Sequence, residues 1–96
     1  MRRKGRVDAN QGQIVEALRA AGYSVAITSS LGNGFPDLVV GGFGRNFILE
    51  CKDGNKPPSA QKLTRDEAIW HENWRGDTMI VNSPADALAQ IGRKHE

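Results

Sequence analysis

Asp37, Glu50 and Lys52 stand in two stretches, "DLVVGG" and "NFILECK", that otherwise read as apolar strands. Charges on buried strands cost free energy unless they are paired or bind something. Side chains alternate along a strand, so Ile48, Glu50 and Lys52 share one face. Phe47, Leu49 and Cys51 share the other, which is plainly core. A glycine-rich turn joins the two stretches into a hairpin. Antiparallel pairing then brings Asp37 opposite the end of the Glu50 strand. Two carboxylates and an ammonium converge at one end of the sheet. Carboxylates held together repel and raise each other's pKa. A divalent cation removes that conflict, and Mg²⁺ takes one or two carboxylates plus waters and substrate phosphate. A second reading fits the same pattern: a strand-end salt bridge from Lys52 to Asp37 or Glu50.

The surrounding segments must position these groups. Residues 10–21 read as a helix, capped by Asp8 or Asn10 and stopped by Gly22. "YSVAITSS" is rich in strand formers, and "LGNGFP" is a turn that delivers the chain to Asp37. "DGNKPPS" is a loop. Residues 64–75 read as a second helix with Thr64 as N-cap and Gly76 after it. "TMIVN" is a strand, and "PADALAQIG" is a closing helix with Ser83 as cap and Pro84 in its first turn. The order αβββαβα predicts an α/β fold, a mixed four-stranded sheet flanked by helices. Residues 1–9 form a basic arm and residues 10–96 a single domain.

Two helices carry polar groups on their apolar faces. At roughly 100° per residue, Gln11 lies at the centre of the face made by Ile14, Val15 and Leu18. Being near the helix start, its amide could reach past the core edge to the sheet end; a local hydrogen bond is the other reading. Glu16 lies off that face. On the second helix Leu63, Trp70, His71 and Trp74 flank Glu67. An inward glutamate needs a partner, although an acid in the first helical turn is also favoured by the dipole.

Composition narrows the classes. The chain has 96 residues, a net charge of +2 and one cysteine, Cys51. An internal disulfide and metal sites built on several cysteines are excluded. No apolar run reaches the ~20 residues of a membrane span, and no signal peptide is expected; a cytoplasmic location follows as the default. Arg2, Arg3, Lys4 and Arg6 form a basic cluster able to meet phosphates; a solvated terminus is the alternative. Arg45, Lys56 and Lys62 could hold nucleic-acid backbone near the site. Neither His71 nor His95, which lies in the tail, is expected to be catalytic, and His71 reads as structural. Trp70 and Trp74 read first as core and second as a stacking platform. Phe43, an apolar residue between glycines at the hairpin tip, Phe35 in the turn, and whichever of Trp70 and Trp74 is not core are candidates for an interface.

"Pro36-Asp37 … Glu50-Cys51-Lys52" resembles the PD-(D/E)xK signature of restriction-endonuclease-like nucleases, with twelve residues between the acids. The preceding helix, the Gly-x-Gly-x-Pro-Asp turn and the "LTRDE" start of the later helix make the chain similar to the virus-type replication–repair nuclease branch, VRR-NUC, in its small stand-alone phage-like form. The resemblance spans roughly residues 8–82. It implies an αβββαβ nuclease core and Mg²⁺- or Mn²⁺-dependent hydrolysis of DNA. Asp37 and Glu50 would be side-chain metal ligands, and the Cys51 backbone carbonyl a further one. Lys52 would orient or activate the attacking water. Gln11 stands where the family often has glutamate, and Glu67 where it usually has glutamine; Gln61 is a second candidate for that amide. The resemblance also implies a homodimer that cuts branched DNA such as four-way (Holliday) junctions, encoded by a phage and acting in the host cytoplasm. A nicking or flap-type nuclease, or a DNA-binding module without catalysis, are the alternatives.

Overall fold

The computed structural model describes residues 9–95; the basic cluster of residues 2–6 and Asp8 lie outside them. The elements are α1 (Ala9–Ala20), β1 (Ser24–Ile27), β2 (Leu38–Gly42), β3 (Arg45–Cys51), α2 (Arg65–Asn73), β4 (Met79–Val81) and α3 (Pro84–Lys94), with 3₁₀ turns at Ser29–Leu31 and Pro58–Gln61. The sheet order is β1-β2-β3-β4. β1, β2 and β3 are antiparallel neighbours, whereas β4 joins β3 in parallel after the α2 crossover. The α/β class, the mixed four-stranded sheet and the element order agree with the sequence reading.

Alternation along the strands builds one dry face. Leu38 and Val40 of β2, Phe47 and Leu49 of β3, and Met79 and Val81 of β4 are buried together with Ile14, Val15 and Leu18 of α1 and Ala87 and Ile91 of α3. Each helix turns a stripe of roughly 3.6-residue period to the sheet. The Cys51 side chain packs against the same core. Asp37, Ile48 and Glu50 project from the other face, where α2 meets the strand end through Glu67 and Lys52.

Local chemistry sets the boundaries. Thr64 caps α2 in a reciprocal capping box with Glu67, and Ser83 caps α3 by accepting from the Asp86 N–H at 3.0 Å. β1 is shorter than "YSVAITSS" suggests. The Thr28 N–H donates to the Asp37 carbonyl at 2.7 Å and its hydroxyl to the Pro36 carbonyl at 2.8 Å. These bonds end the ladder and turn the chain into the first 3₁₀ turn. α2 ends at Asn73, because Trp74 leaves the helical region at φ −76° and ψ 129°. Asn10 is not a cap; it lies inside α1, where its amide has partners elsewhere. The β2–β3 hairpin closes on Phe43 and Gly44, both at positive φ, 56° and 79°, as a two-residue type I′ turn requires.

One glycine fixes where α2 sits. Gly34 has φ +81°, and a Cβ there would lie 2.3 Å from the Asp66 carbonyl oxygen. The 32–35 turn thus packs backbone to backbone against the start of α2, and Phe35 sets its ring edge-on to Trp70 at 5.2 Å. Gly34→Ala combines the left-handed penalty with that clash. It should destabilise by about 1–3 kcal/mol and loosen α2, read as a lower urea midpoint with reduced near-ultraviolet tryptophan signal. An unchanged midpoint would refute the backbone packing described.

Candidate functional site

The β2–β3 register assembles the site. Leu38 pairs with Leu49, which sets Asp37 beside the end of β3. The Asp37 N–H donates to the Leu49 carbonyl at 3.0 Å, and its carbonyl accepts from Thr28. Its carboxylate is held as firmly as its backbone. Oδ2 accepts from the Cys51 N–H at 2.8 Å, and Oδ1 accepts from the Ser29 hydroxyl at 3.3 Å. Gln11 donates its Nε2 to Ser29 Oγ at 2.8 Å. Gln11 is 4% exposed, so the polar residue at the centre of the α1 face does turn inward. It reaches Asp37 through Ser29.

Glu50 is 2% exposed. Its Oε1 has no hydrogen-bond partner, and its Oε2 lies 3.7 Å from Lys52 Nζ. Burial, then the negative charges of Asp37 and Glu67, push its carboxyl up to about 9, against the pull of Lys52. Burial also raises Asp37, while the Cys51 N–H and neighbouring side chains work the other way.

Lys52 is the counter-charge, and Glu67 is its main partner. Nζ donates to Glu67 Oε1 at 2.8 Å. The same Oε1 accepts from the Thr64 N–H at 2.9 Å, so the α2 cap and the lysine share one oxygen. Burial opposes the ammonium, but Glu67 first and then Glu50 and Asp37 hold its pKa above the ordinary lysine value. Burial likewise opposes the Glu67 charge, but Lys52 and the Thr64 N–H bring that carboxyl below its ordinary value. Asn10 anchors the lysine's backbone, donating Nδ2 to the Lys52 carbonyl at 2.8 Å and more weakly to the Asn82 carbonyl at 3.4 Å.

The structure brings Asp37, Glu50, Lys52, Gln11 and Glu67 together, and Cys51 contributes its backbone N–H. Gln61 does not join them. Its amide donates to the Lys56 carbonyl at 2.7 Å and tightens its own loop. Arg45 begins β3 at the hairpin tip, the far end of the strand from Glu50, and donates to the Lys94 carbonyl. The expectation that it lies near the site is corrected. Lys56 and Lys62 are exposed on the loop before α2. His71 bonds Thr78 Oγ1 through Nδ1 at 3.1 Å, and burial lowers its pKa. His95 meets the Tyr23 hydroxyl at 2.9 Å. Ser29 carries no signal in the sequence that marks it as part of the site. Only a fold that sets the end of β1 beside Asp37 reveals it.

Among the described residues, no group of three or more His, Cys, Asp or Glu side chains is arranged to hold a metal. Asp37 and Glu50 are instead a pair. Both are all-oxygen donors, and Glu50 Oε1 is buried without a donor. An ionised carboxylate in that setting lacks a positive partner on one side, and a hard divalent cation is the partner its chemistry fits.

The buried Glu50 makes stability depend on pH. Its folded pKa is raised, so the protonated form is favoured on folding. That contribution is complete below the ordinary value of 4.5 and is lost as pH rises to about 9. Wild-type protein in chelator should therefore lose stability between pH 5 and pH 9 relative to Glu50→Gln. Parallel urea-unfolding profiles for the two proteins would show that Glu50 is not held protonated.

Comparison of the chain with protein-family models, curated proteins and solved structures gave no significant match.

Proposed function

We propose that this protein is a metal-dependent DNA endonuclease of the restriction-endonuclease-like, VRR-NUC type. The observation that carries the reading is the buried Glu50 carboxyl beside Asp37: its Oε1 has no donor, while its Oε2 lies 3.7 Å from Lys52 Nζ. A structural salt bridge accounts for Lys52 and Glu67 but leaves that oxygen without a donor, and the crowding with Asp37 is then relieved only by a proton kept on Glu50.

In this reading Asp37 and Glu50 hold Mg²⁺ or Mn²⁺, with the Cys51 backbone carbonyl as a further ligand by the same resemblance. When bound, the ion supplies Lewis acidity and a lower pKa for water. The chain's own residues do the rest. The Cys51 N–H and Ser29 fix the Asp37 carboxylate in one orientation. Gln11 fixes Ser29. Lys52 brings positive charge to the side of the site where a phosphoryl group gains negative charge. Glu67 and Asn10 hold that lysine by its ammonium and its backbone. Gln11 and Glu67 are therefore positioning residues.

Four-way junction DNA is the favoured substrate, cut by a homodimer, since a twofold assembly presents two equivalent sites to two strands. The reading includes phage origin and action in the host cytoplasm. No helix among the described residues is long and apolar enough to cross a membrane. Exposed apolar residues available to a dimer include Phe43 at 74% and Leu31 at 60%. One observation favours a monomeric nicking or flap-type nuclease instead. Phe43 already meets Tyr23 and His95 edge-on, at 5.4 and 5.2 Å, and so partly folds back on its own domain.

Cleavage of linear, flapped and four-way DNA with and without Mg²⁺ tests the activity. Asp37→Ala and Glu50→Ala should abolish Mg²⁺-dependent cutting while keeping the wild-type circular dichroism; wild-type turnover in either would remove the metal-site assignment. Lys52→Ala should lose about 10²–10³ in rate yet keep Mg²⁺ affinity by calorimetry. A collapse of that affinity would make Lys52 a structural part of the carboxylate pair. Sedimentation at micromolar concentration should show a dimer, alone or on junction DNA. A monomer in both conditions favours the nicking or flap-type activity.

A further inference from the structure

A groove of about 330 Å³ runs along α2, lined by Asn33, Asp66, Ile69, Trp70, Asn73 and Trp74. Its volume lies at the small end of ligand sites, which span about 300–1,000 Å³. Its wall is a graded stack of rings. Phe35 meets Trp70 edge-on at 5.2 Å, and Trp70 stacks on Trp74 at 4.7 Å with 17° between planes. Trp74 is the outermost ring and is 42% exposed. A large aromatic left half in water at the end of a stack leaves stacking surface unused.

We propose that this groove takes an unstacked nucleobase of a bound DNA strand, with Trp74 as its platform. The choice of DNA as partner rests on the nuclease reading above, but the groove argues for a base on its own chemistry. The rings offer a flat π surface, and every base has a π face. Asn33, Asp66 and Asn73 add polar groups to the lining, Asn73 with its Nδ2 also donating to the Ile69 carbonyl at 3.0 Å. These suit the polar edge of a base and are poorly suited to a purely apolar side chain, which would leave them desolvated.

The groove and the candidate site share α2. Glu67, which holds Lys52, lies on α2, seven residues before Trp74, the residue that follows the helix. At about 1.5 Å per residue the helix rises roughly 9 Å from Glu67 to Asn73, close to three steps of a stacked strand at about 3.4 Å each. A strand whose phosphate reaches Lys52 can thus set a base a few nucleotides away onto Trp74. Arg75, exposed and next in sequence, is placed to meet a neighbouring phosphate. Strand separation near a cut site, as at a junction or flap, supplies such a base, whereas an intact duplex does not.

The test is binding of a labelled oligothymidylate and of the same strand made abasic, followed by fluorescence anisotropy in chelator so that no cleavage occurs. The natural strand should bind more tightly than the abasic one. Trp74→Ala should weaken it by roughly 5- to 150-fold, the range expected for one stacked base, with little change for the abasic strand. Trp74→Phe keeps a ring and should recover much of the loss. Equal affinity for the two strands, or a Trp74→Ala protein that binds like wild type, overturns the proposal. So does a Trp74→Ala protein that sediments as a monomer where wild type is a dimer, since a second copy then covers the groove. Mg²⁺-dependent cleavage by wild type and by Trp74→Ala separates the two readings. Base-dependent binding without any Mg²⁺-dependent cutting by wild type keeps the groove and removes the nuclease. Cutting that is indifferent to Trp74 does the reverse.

Discussion

The arrangement of the charged cluster depends on one register. Leu38 opposite Leu49 makes Asp37 the next residue in line with Glu50, and the Asp37 N–H closes on the Leu49 carbonyl. A slip of one residue would turn Glu50 into the core and Leu49 toward α2, because side chains alternate strictly along a strand. The apolar face therefore enforces the polar one. Leu38, Val40, Phe47 and Leu49 are all buried, and their burial holds the acids on the opposite surface. Carboxylates that would separate in a flexible loop are kept adjacent by the core beneath them.

The cluster is not neutral. Three carboxylates share one ammonium, and the ammonium is committed first to Glu67 at 2.8 Å and only then to Glu50 at 3.7 Å. Glu67 is stabilised twice, by Lys52 and by the helix start that it caps. Its pKa falls while that of Glu50 rises, although both face the same lysine. The difference has a simple cause: Glu67 has hydrogen-bond donors and Glu50 Oε1 has none. Burial without donors disfavours the charged carboxylate, and the site as folded is short of positive charge on the Glu50 side.

The scaffold tightens this cluster from three directions. α1 supplies Gln11 to Ser29 and Asn10 to the Lys52 carbonyl. The β1–β2 connection supplies Ser29 itself and, through Gly34, the close contact that seats α2. α2 supplies Glu67. These contacts join residues far apart in sequence: 42 positions between Asn10 and Lys52, 18 between Gln11 and Ser29, and 15 between Lys52 and Glu67. A lysine fixed at both its backbone and its ammonium loses most of its rotamer freedom on folding rather than when a ligand arrives.

The sequence by itself determined the element order, the Thr64 and Ser83 caps, the sidedness of β3, and the meeting of Asp37, Glu50 and Lys52. All of these follow from short-range rules: strand alternation, helical periodicity, capping and the reach of one hairpin. It also marked Gln11 as misplaced on an apolar face, because periodicity alone exposes that conflict. Only the tertiary structure decided the partners. Gln11 reaches Asp37 through Ser29, which carries no sequence signal of its own. Glu67 pairs with Lys52, whereas Gln61, equally plausible by position, bonds its own loop. Asn10, read as a helix cap, serves the Lys52 backbone, and Arg45 lies at the wrong end of β3. Each of these depends on how separate elements are set against one another. That placement is fixed by packing at the core and at Gly34, and no local pattern encodes it.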